Sequence, residues 1–397
     1  MLIIVSLSKL LVWLLAKIGQ PSIVGQILCG VILGPSVMGH IPGFTDLFFP
    51  EDSIDNLYMI SDFTLVLYIF LVGLELNPSN VFQKKRKYPF YIGFTSVFFP
   101  FFIGLGMSFI LKNEDNIHGT KDTLTHTLYF GLVLSVSALP VVSRIISELG
   151  LLQTVVGASS VSIIAVDNIL CWGLLIVISS FINSTNDTLS PLYIFLSLMA
   201  ATLFMVFILK PLINLWLKHY QNDLEHEGAI SEFIVSFMFI LLLLSSWTTH
   251  RFGGHAVIGS FLLGLILPHG PFTVKMTEKV EDVVVIFLLP MYIASSGLRS
   301  NFDFTSDYMF WIWLVLFYAA SSLGKIIPAA IVAKLCKYSW RESFSIGILL
   351  NTKGLMDLVV LNMGYDTLML TDKTYTLFIL ITILTTFSTT LLISKVY

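Results

Sequence analysis

The sequence predicts an all-α, polytopic membrane protein of about 13 transmembrane helices, and three observations carry that expectation. The 397 residues are 56% hydrophobic and only 12% charged, about half the charge density of a soluble domain. Apolar stretches of roughly 17–25 residues, long enough to cross a bilayer core, recur along the whole chain. The joints between them are short and polar, so residues 1–397 read as a single membrane domain. A net charge of -3, from 22 Lys+Arg and 25 Asp+Glu, leaves no basic surface for nucleic acid. Cys29, Cys171 and Cys336 lie in apolar runs without paired spacing, which indicates neither a disulfide framework nor a zinc site. No cofactor motif is present, and His40, His126, His250 and His255 show no ligand-like spacing.

Taken in order, the expected spans are 2–18, 22–39, 57–76, 88–111, 127–147, 152–182, 189–216, 230–249, 254–268, 282–298, 307–334, 340–362 and 375–394. The first lacks a basic segment before its apolar core and runs into an ordinary hairpin, so it reads as a helix rather than a cleaved signal. Basic residues set the orientation: fourteen Lys/Arg fall on the side of the Lys84-Lys85-Arg86-Lys87 loop, against Lys112, Lys121, Arg251, Arg299 and Lys373 on the other. The Lys84–Lys87 loop is therefore expected to be cytoplasmic, with anionic lipid headgroups as neighbours. The 183–190 loop carries sequons at Asn183 and Asn186 on the opposite side. That points to a lumenal or extracellular loop in a eukaryotic endomembrane or plasma membrane.

Residues 23–33, Ile-Val-Gly-Gln-Ile-Leu-Cys-Gly-Val-Ile-Leu, align with 257–267, Val-Ile-Gly-Ser-Phe-Leu-Leu-Gly-Leu-Ile-Leu. Farther on, Gly73-Leu74 before Glu75 aligns with Gly297-Leu298 before Arg299. The offset is an odd number of spans, so equivalent helices run in opposite directions. The expected organisation is a first inverted repeat at 22–182, connecting helices at 183–253 and a second repeat at 254–395, an architecture used mainly by secondary transporters. Equivalent spans five and twelve each contain a breaker. Span five has Ser135-Val-Ser137-Ala-Leu-Pro140, where proline removes a donor; span twelve has Asn351-Thr352-Lys353-Gly354 inside an apolar run. Backbone freed at membrane depth survives only where protein or water satisfies it, so two crossed discontinuous helices with a polar centre are expected.

Ionisable groups within spans are costly, which makes them functional candidates. Asp167 lies mid-span with Asn168 beside it, and a carboxylate removed from water is stabilised by a proton or by a cation. Asn168 offers a neutral oxygen to a hard monovalent ion, and Asp167 is the tentative cation ligand. Lys325 is the natural basic counterpart. Lys353 and Asp357 are four apart on one helix face and either neutralise each other or offset opposed helix ends. Asp62 and Glu75 lie nearer the ends of span three, and Arg144 with Glu148 forms an i,i+4 pair; these read as structural or gating groups.

The motifs Gly25-x4-Gly30-x3-Gly34-Pro35, Phe70-Leu-Val-Gly-Leu-Glu75-Leu, Pro140-Val-Val-Ser-Arg144-Ile-Ile-Ser-Glu148-Leu and Asn351-Thr-Lys-Gly-Leu-Met-Asp357-Leu-Val-Val-Leu-Asn occur in that order. The chain thereby resembles the second monovalent cation:proton antiporter family, in particular plant cation/proton exchangers and fungal potassium/proton antiporters. The resemblance implies a homodimer with a dimerisation domain, a core domain containing the crossed broken helices, and elevator-like alternating access. It also implies an ion site at Asp167-Asn168 supported by Lys325, and a transporter rather than an enzyme. One departure matters: the family usually reads Asn-Asp before its tryptophan, whereas this chain reads Asp167-Asn168 before Trp172. That shifts the acid by one residue, about 100° around a helix. Two readings stay open. One is a secondary antiporter exchanging K+ or Na+ for H+, electroneutral if the single carboxylate takes one or the other. The alternative is an antiporter-like membrane protein that senses or scaffolds without transport.

Overall fold

The structure, a computed structural model, describes residues 1–76, 88–114, 123–151, 153–184, 189–219, 231–302 and 307–396. The Lys84–Lys87 loop and the Asn186 sequon lie outside them. Every regular element among the described residues is helical. In chain order these are α1 (Leu2–Ala16), α2 (Ser22–Leu33), α3 (Glu51–Glu75), α4 (Tyr88–Glu114), α5 (Thr123–Ser135), α6 (Leu139–Glu148) and α7 (Val155–Ile182). Then come α8 (Ser190–Phe204), α9 (Lys210–His219), α10 (Glu232–Arg251), α11 (Ala256–Ile266), α12 (Pro271–Glu281) and α13 (Leu289–Leu298). The last are α14 (Tyr308–Leu335), α15 (Trp340–Leu350), α16 (Leu355–Asp366) and α17 (Asp372–Val396). Short helical turns occupy Met38–His40 and Phe44–Phe48.

Eleven helical segments among the described residues are long and apolar enough to cross a membrane, and α1 and α11 are shorter apolar helices. Together they account for the thirteen apolar segments expected, with one refinement. The ninth is helical only over the 11 residues of α11, about 16 Å at 1.5 Å per residue, roughly half a bilayer core. Leu267, which ends it, is already extended. Two helices widen into π turns, Met205–Leu209 between α8 and α9 and Asp282–Leu288 between α12 and α13. Each π segment stops two residues before a proline, Pro211 or Pro290. A proline ring collides with the carbonyl four residues back, and a wider turn relieves that collision.

The chain forms two compact units. The first comprises Met1–Tyr58, Asn80–Leu174 and Pro290–Tyr397; the second comprises Met59–Ser79 and Leu175–Leu289. Each contains a glycine crossing. In the first, a Cβ on Gly30 of α2 would lie 2.8 Å from the Cα of Gly297 on α13. In the second, a Cβ on Gly264 of α11 would lie 2.9 Å from the Cα of Gly73 on α3. Only backbone hydrogens fit between helices this close, which is how small residues draw membrane helices together without a hydrophobic driving force. Gly30→Ala should therefore lower thermal stability in detergent by roughly 1–3 kcal/mol through overpacking. At Gly106, a Cβ meets nothing within 4 Å, and Ala there should be neutral or gain up to about 1 kcal/mol from helix propensity. Equal melting temperatures for the two variants would contradict this account.

Candidate functional site

The site is built where two helices stop. α5 ends at Ser135, residues 136–138 lie outside both helices, and α6 starts at Leu139 with Pro140 in its first turn. Proline belongs there because a first-turn N–H has no intrahelical partner to lose. α15 ends at Leu350 and α16 begins at Leu355 with Gly354 as its cap. A side chain on Gly354 would strike Ala138 Cβ at 2.8 Å and Val141 Cγ2 at 2.7 Å, so glycine lets the second break approach the first. The breaks satisfy one another. Ala138 N–H donates to the Thr352 carbonyl at 3.1 Å, and the Ser137 hydroxyl donates to the Leu350 carbonyl at 3.0 Å. The crossing of discontinuous helices expected from Pro140 and Asn351–Gly354 is present.

Both lysines expected in spans serve the carboxyl end of α5, where the helix dipole concentrates negative potential. Lys325 of α14 donates to the Ser135 carbonyl, and Lys353 donates to the Val133 carbonyl at 3.1 Å. Lys353 also donates to Asp357 Oδ1 at 2.7 Å, while Asp357 Oδ2 accepts from Gly354 N–H at 2.7 Å. Asp357 thus closes the amino end of α16 and neutralises Lys353 simultaneously. Lys353 thus touches both Asp357 and the end of α5. The Thr386 hydroxyl of α17 holds the Lys353 carbonyl at 2.7 Å.

Asp167 of α7 has no exposed surface. Its Oδ1 accepts a hydrogen bond from the Ser96 hydroxyl of α4 and lies 3.7 Å from Lys325 Nζ, a pair buried to 1% and 0% exposure. The Cys171 thiol lies 3.9 Å from Oδ2. Ser96 reaches this position because Gly93, one turn earlier, lets α4 approach α7: a Cβ there would sit 3.0 Å from Val166 Cβ. Asn168 is equally buried, but its amide donates to the Ile164 carbonyl of its own helix at 2.9 Å. The carboxylate, not the amide, therefore faces the lysine. Asn351 donates to the Ser322 hydroxyl at 3.3 Å, while its Oδ1 and the Thr352 hydroxyl are buried without a hydrogen-bond partner among the described residues. Unpaired buried acceptors are costly unless a ligand or water reaches them.

Of the four groups read as structural or gating, Arg144 and Glu148 form a pair of their own. Arg144 bonds Glu148 at 2.6 Å and the Ser22 hydroxyl at 2.8 Å, at the far end of α6, with both charged side chains about half exposed. Glu75 ends α3 in the second unit. Sequence reasoning missed Ser96 and the polar knot around Asn362 in the second half of α16. Asn362 donates to Tyr292 Oη at 3.0 Å and to Ser296 Oγ at 2.8 Å, and accepts from Tyr375 Oη at 2.7 Å. Its position closes the last motif quoted above, which was its only signal. One turn farther, Asp366 accepts from Arg299 at 2.7 Å, with the guanidinium 4.3 Å over the Tyr58 ring.

At the start of α14, half-exposed Asp307 accepts from Met309 N–H at 3.0 Å and from Lys373 at 3.1 Å. The Met309 bond first and Lys373 second hold its carboxyl below the ordinary carboxylate value. A lowered folded-state value means the cap is at full strength above the unfolded value, near 3.9, and is lost as pH falls through the folded one. Protection of the Met309 amide, relative to its intrinsic exchange rate, should thus hold from neutral pH to about 4 and fall below it. Asp307→Ala should remove that acid dependence; a persisting acid limb would assign it elsewhere.

An all-helical membrane protein with two helix breaks bonded to each other, and a buried acid–ammonium pair beside them, is the class that fold and site define. The chain belongs to the sodium/hydrogen exchanger family, whose transmembrane description matches residues 2–396. It is 35% identical over 397 residues to cation/H(+) antiporter 17 of Arabidopsis thaliana, covering 100% of this chain and 47% of that protein. It is 31% identical over 398 residues to the Na(+)/H(+) antiporter NhaS4 of Synechocystis sp., covering 100% of this chain and 96% of that one. The chain thus spans about half the length of the plant relative and nearly all of the cyanobacterial one. Among solved structures, the sodium proton antiporter MjNhaP1 from Methanocaldococcus jannaschii at pH 8 shares the fold. Its TM-score is 0.64 at 14% identity, with 99% of this chain and 97% of that one covered.

Proposed function

We propose that this protein is a secondary active antiporter that exchanges a monovalent cation, K+ or Na+, for H+, with Asp167 as the exchanging group. The observation that carries this is the Asp167–Lys325 pair, 3.7 Å apart and fully buried beside the crossed breaks. A buried carboxylate needs a partner charge or a proton. A cation arriving at Asp167 takes over the role of Lys325, and a proton removes the need for either. Occupancy by proton and by cation then exclude each other, which is the requirement for coupled exchange. One such carboxylate favours one-for-one, electroneutral turnover. The relatives named as Na(+)/H(+) and cation/H(+) antiporters support the reading.

Around this site we read an inverted repeat, and the glycine crossings support it. The alignment equates Gly30 with Gly264 and Gly73 with Gly297, and the two crossings join Gly30 to Gly297 and Gly264 to Gly73. Elevator-like movement within a homodimer completes the proposal, with the Lys84–Lys87 loop cytoplasmic and the 183–190 loop on the opposite face. The test is proton flux in liposomes reconstituted with the pure protein, driven in turn by Na+, K+ and Li+ gradients. Cation-dependent proton movement is expected with at least one ion. Silence with all three, from protein that remains folded, would favour a sensing or scaffolding role.

A further inference from the structure

α4 presents two faces with different uses. Gly93 and Ser96 turn toward α7 and the Asp167 carboxylate. The opposite face, with the last turn of α14, encloses a groove of about 650 Å³ lined by Tyr88, Phe90, Tyr91, Phe94, Leu335 and Cys336. That volume falls within the roughly 300–1,000 Å³ typical of small-molecule clefts. Its floor is apolar, since the Thr95 hydroxyl donates to the Tyr91 carbonyl of its own helix at 2.9 Å and leaves only a methyl. The candidate spans Tyr88–Ile110 and Tyr308–Leu335 begin and end at this groove, so it opens where the hydrocarbon core meets water. Tyrosines belong at that depth, with the ring in the apolar layer and the hydroxyl at the headgroups.

The rim is cationic. Lys334 ends α14 and lies 5.5 Å over the Trp340 ring. Lys337 follows in a left-handed conformation, φ 73°, and is exposed. Arg341 follows in the first turn of α15, its Nε donating to the Val396 carbonyl at 2.8 Å. Glu342 caps α15, accepting from Ser339 N–H at 2.7 Å, and its charge also acts on Lys334. An apolar slot at the membrane boundary, flanked by the Lys334 and Lys337 ammonium groups, matches a molecule with an acyl chain below and a phosphate above.

We propose that this groove binds an anionic glycerophospholipid, with its phosphate between Lys334 and Lys337 and an acyl chain against Tyr91, Phe94 and Thr95. The proposal rests on α4 and α14 spanning the membrane and not on the antiport reading, so its test uses binding alone. The protein would be reconstituted in equimolar phosphatidylglycerol and phosphatidylcholine, re-extracted in mild detergent and weighed intact with its retained lipid. Wild type is expected to keep phosphatidylglycerol in preference to phosphatidylcholine. Lys334→Gln/Lys337→Gln should retain at least about five-fold less, a difference near 1 kcal/mol. Thr95→Trp, which fills the slot, should lose it as well. Lys210→Gln, on α9, should behave as wild type, and millimolar inorganic phosphate should not displace the lipid. Melting and gel filtration of each variant separate lost binding from lost folding. Should Thr95→Trp fail to fold, the lysine pair still decides the matter. Equal retention of the two lipids, undiminished retention in the folded lysine variant, or displacement by phosphate alone would overturn the proposal. So would a Thr95→Trp variant that keeps its lipid but no longer dimerises, because a second copy of the chain would then be the occupant.

Discussion

Proton flux driven by a cation gradient should fall to the level of protein-free liposomes in Asp167→Asn. Asparagine keeps the size of the side chain and its ability to accept from Ser96, but it can neither hold a proton at Oδ1 nor balance a cation. The same substitution leaves Lys325 buried opposite a neutral group, and breaking a buried pair from one side costs about 3–5 kcal/mol. The Ser135 carbonyl still accepts from Lys325, which offsets part of that cost. A folded but silent variant is therefore expected, distinguishable by gel filtration from a collapsed one. The exchange Asp167→Asn/Asn168→Asp sharpens the test, because it restores the acid about 100° around the helix. That position is where the Asn168 side chain now turns back to Ile164, away from Lys325. The double variant should stay silent. Full flux in it would mean that position along α7, rather than the geometry at Lys325, sets the site.

The second large effect concerns the other buried pair. Lys353→Met should destabilise the protein by about 3–5 kcal/mol, because Asp357 would be left buried and uncompensated at 3% exposure. Asp357 also caps Gly354, so the loss should spread to the first turn of α16. Replacing both, Lys353→Met/Asp357→Leu, should recover part of the loss, since an apolar pair of similar volume is often tolerated where a lone charge is not. Thermal melting in detergent across the four-member cycle measures the coupling. A Lys353→Met variant that melts like wild type would show that the pair does not hold the crossing together.

Much of this was readable from the chain because the membrane simplifies the code. Apolar runs must be helices, so the spans could be placed from hydropathy. Residues that break helices or carry charge stand out against that background, as Pro140, Gly354, Asp167 and the two lysines do. Pairing was harder. Lys325 could be named as a counterpart to Asp167, but depth along a helix does not tell which way it faces. Ser96 was invisible for a related reason: a serine in an apolar helix usually bonds its own backbone, as Ser108 does to the Leu105 carbonyl, and nothing local marks the one that also reaches a carboxylate. The shortness of α11 was hidden too, since hydropathy measures apolar content and not whether the segment is helical throughout. The Lys334–Tyr88 groove depends on two helices far apart in sequence, and no single window contains it.

The bonds that join the two breaks bear on what kind of motion the protein can make. Ala138 to Thr352, Ser137 to Leu350 and Lys353 to Val133 tie each interrupted helix to the other. A movement that parted the two broken helices would expose both sets of partners in a medium without water, at about 1–3 kcal/mol for each orphaned group. A movement that carried both breaks together would sever none. The crossing is therefore a mechanical unit: any displacement of these helices is cheapest when α5, α6, α15 and α16 travel as one rigid piece.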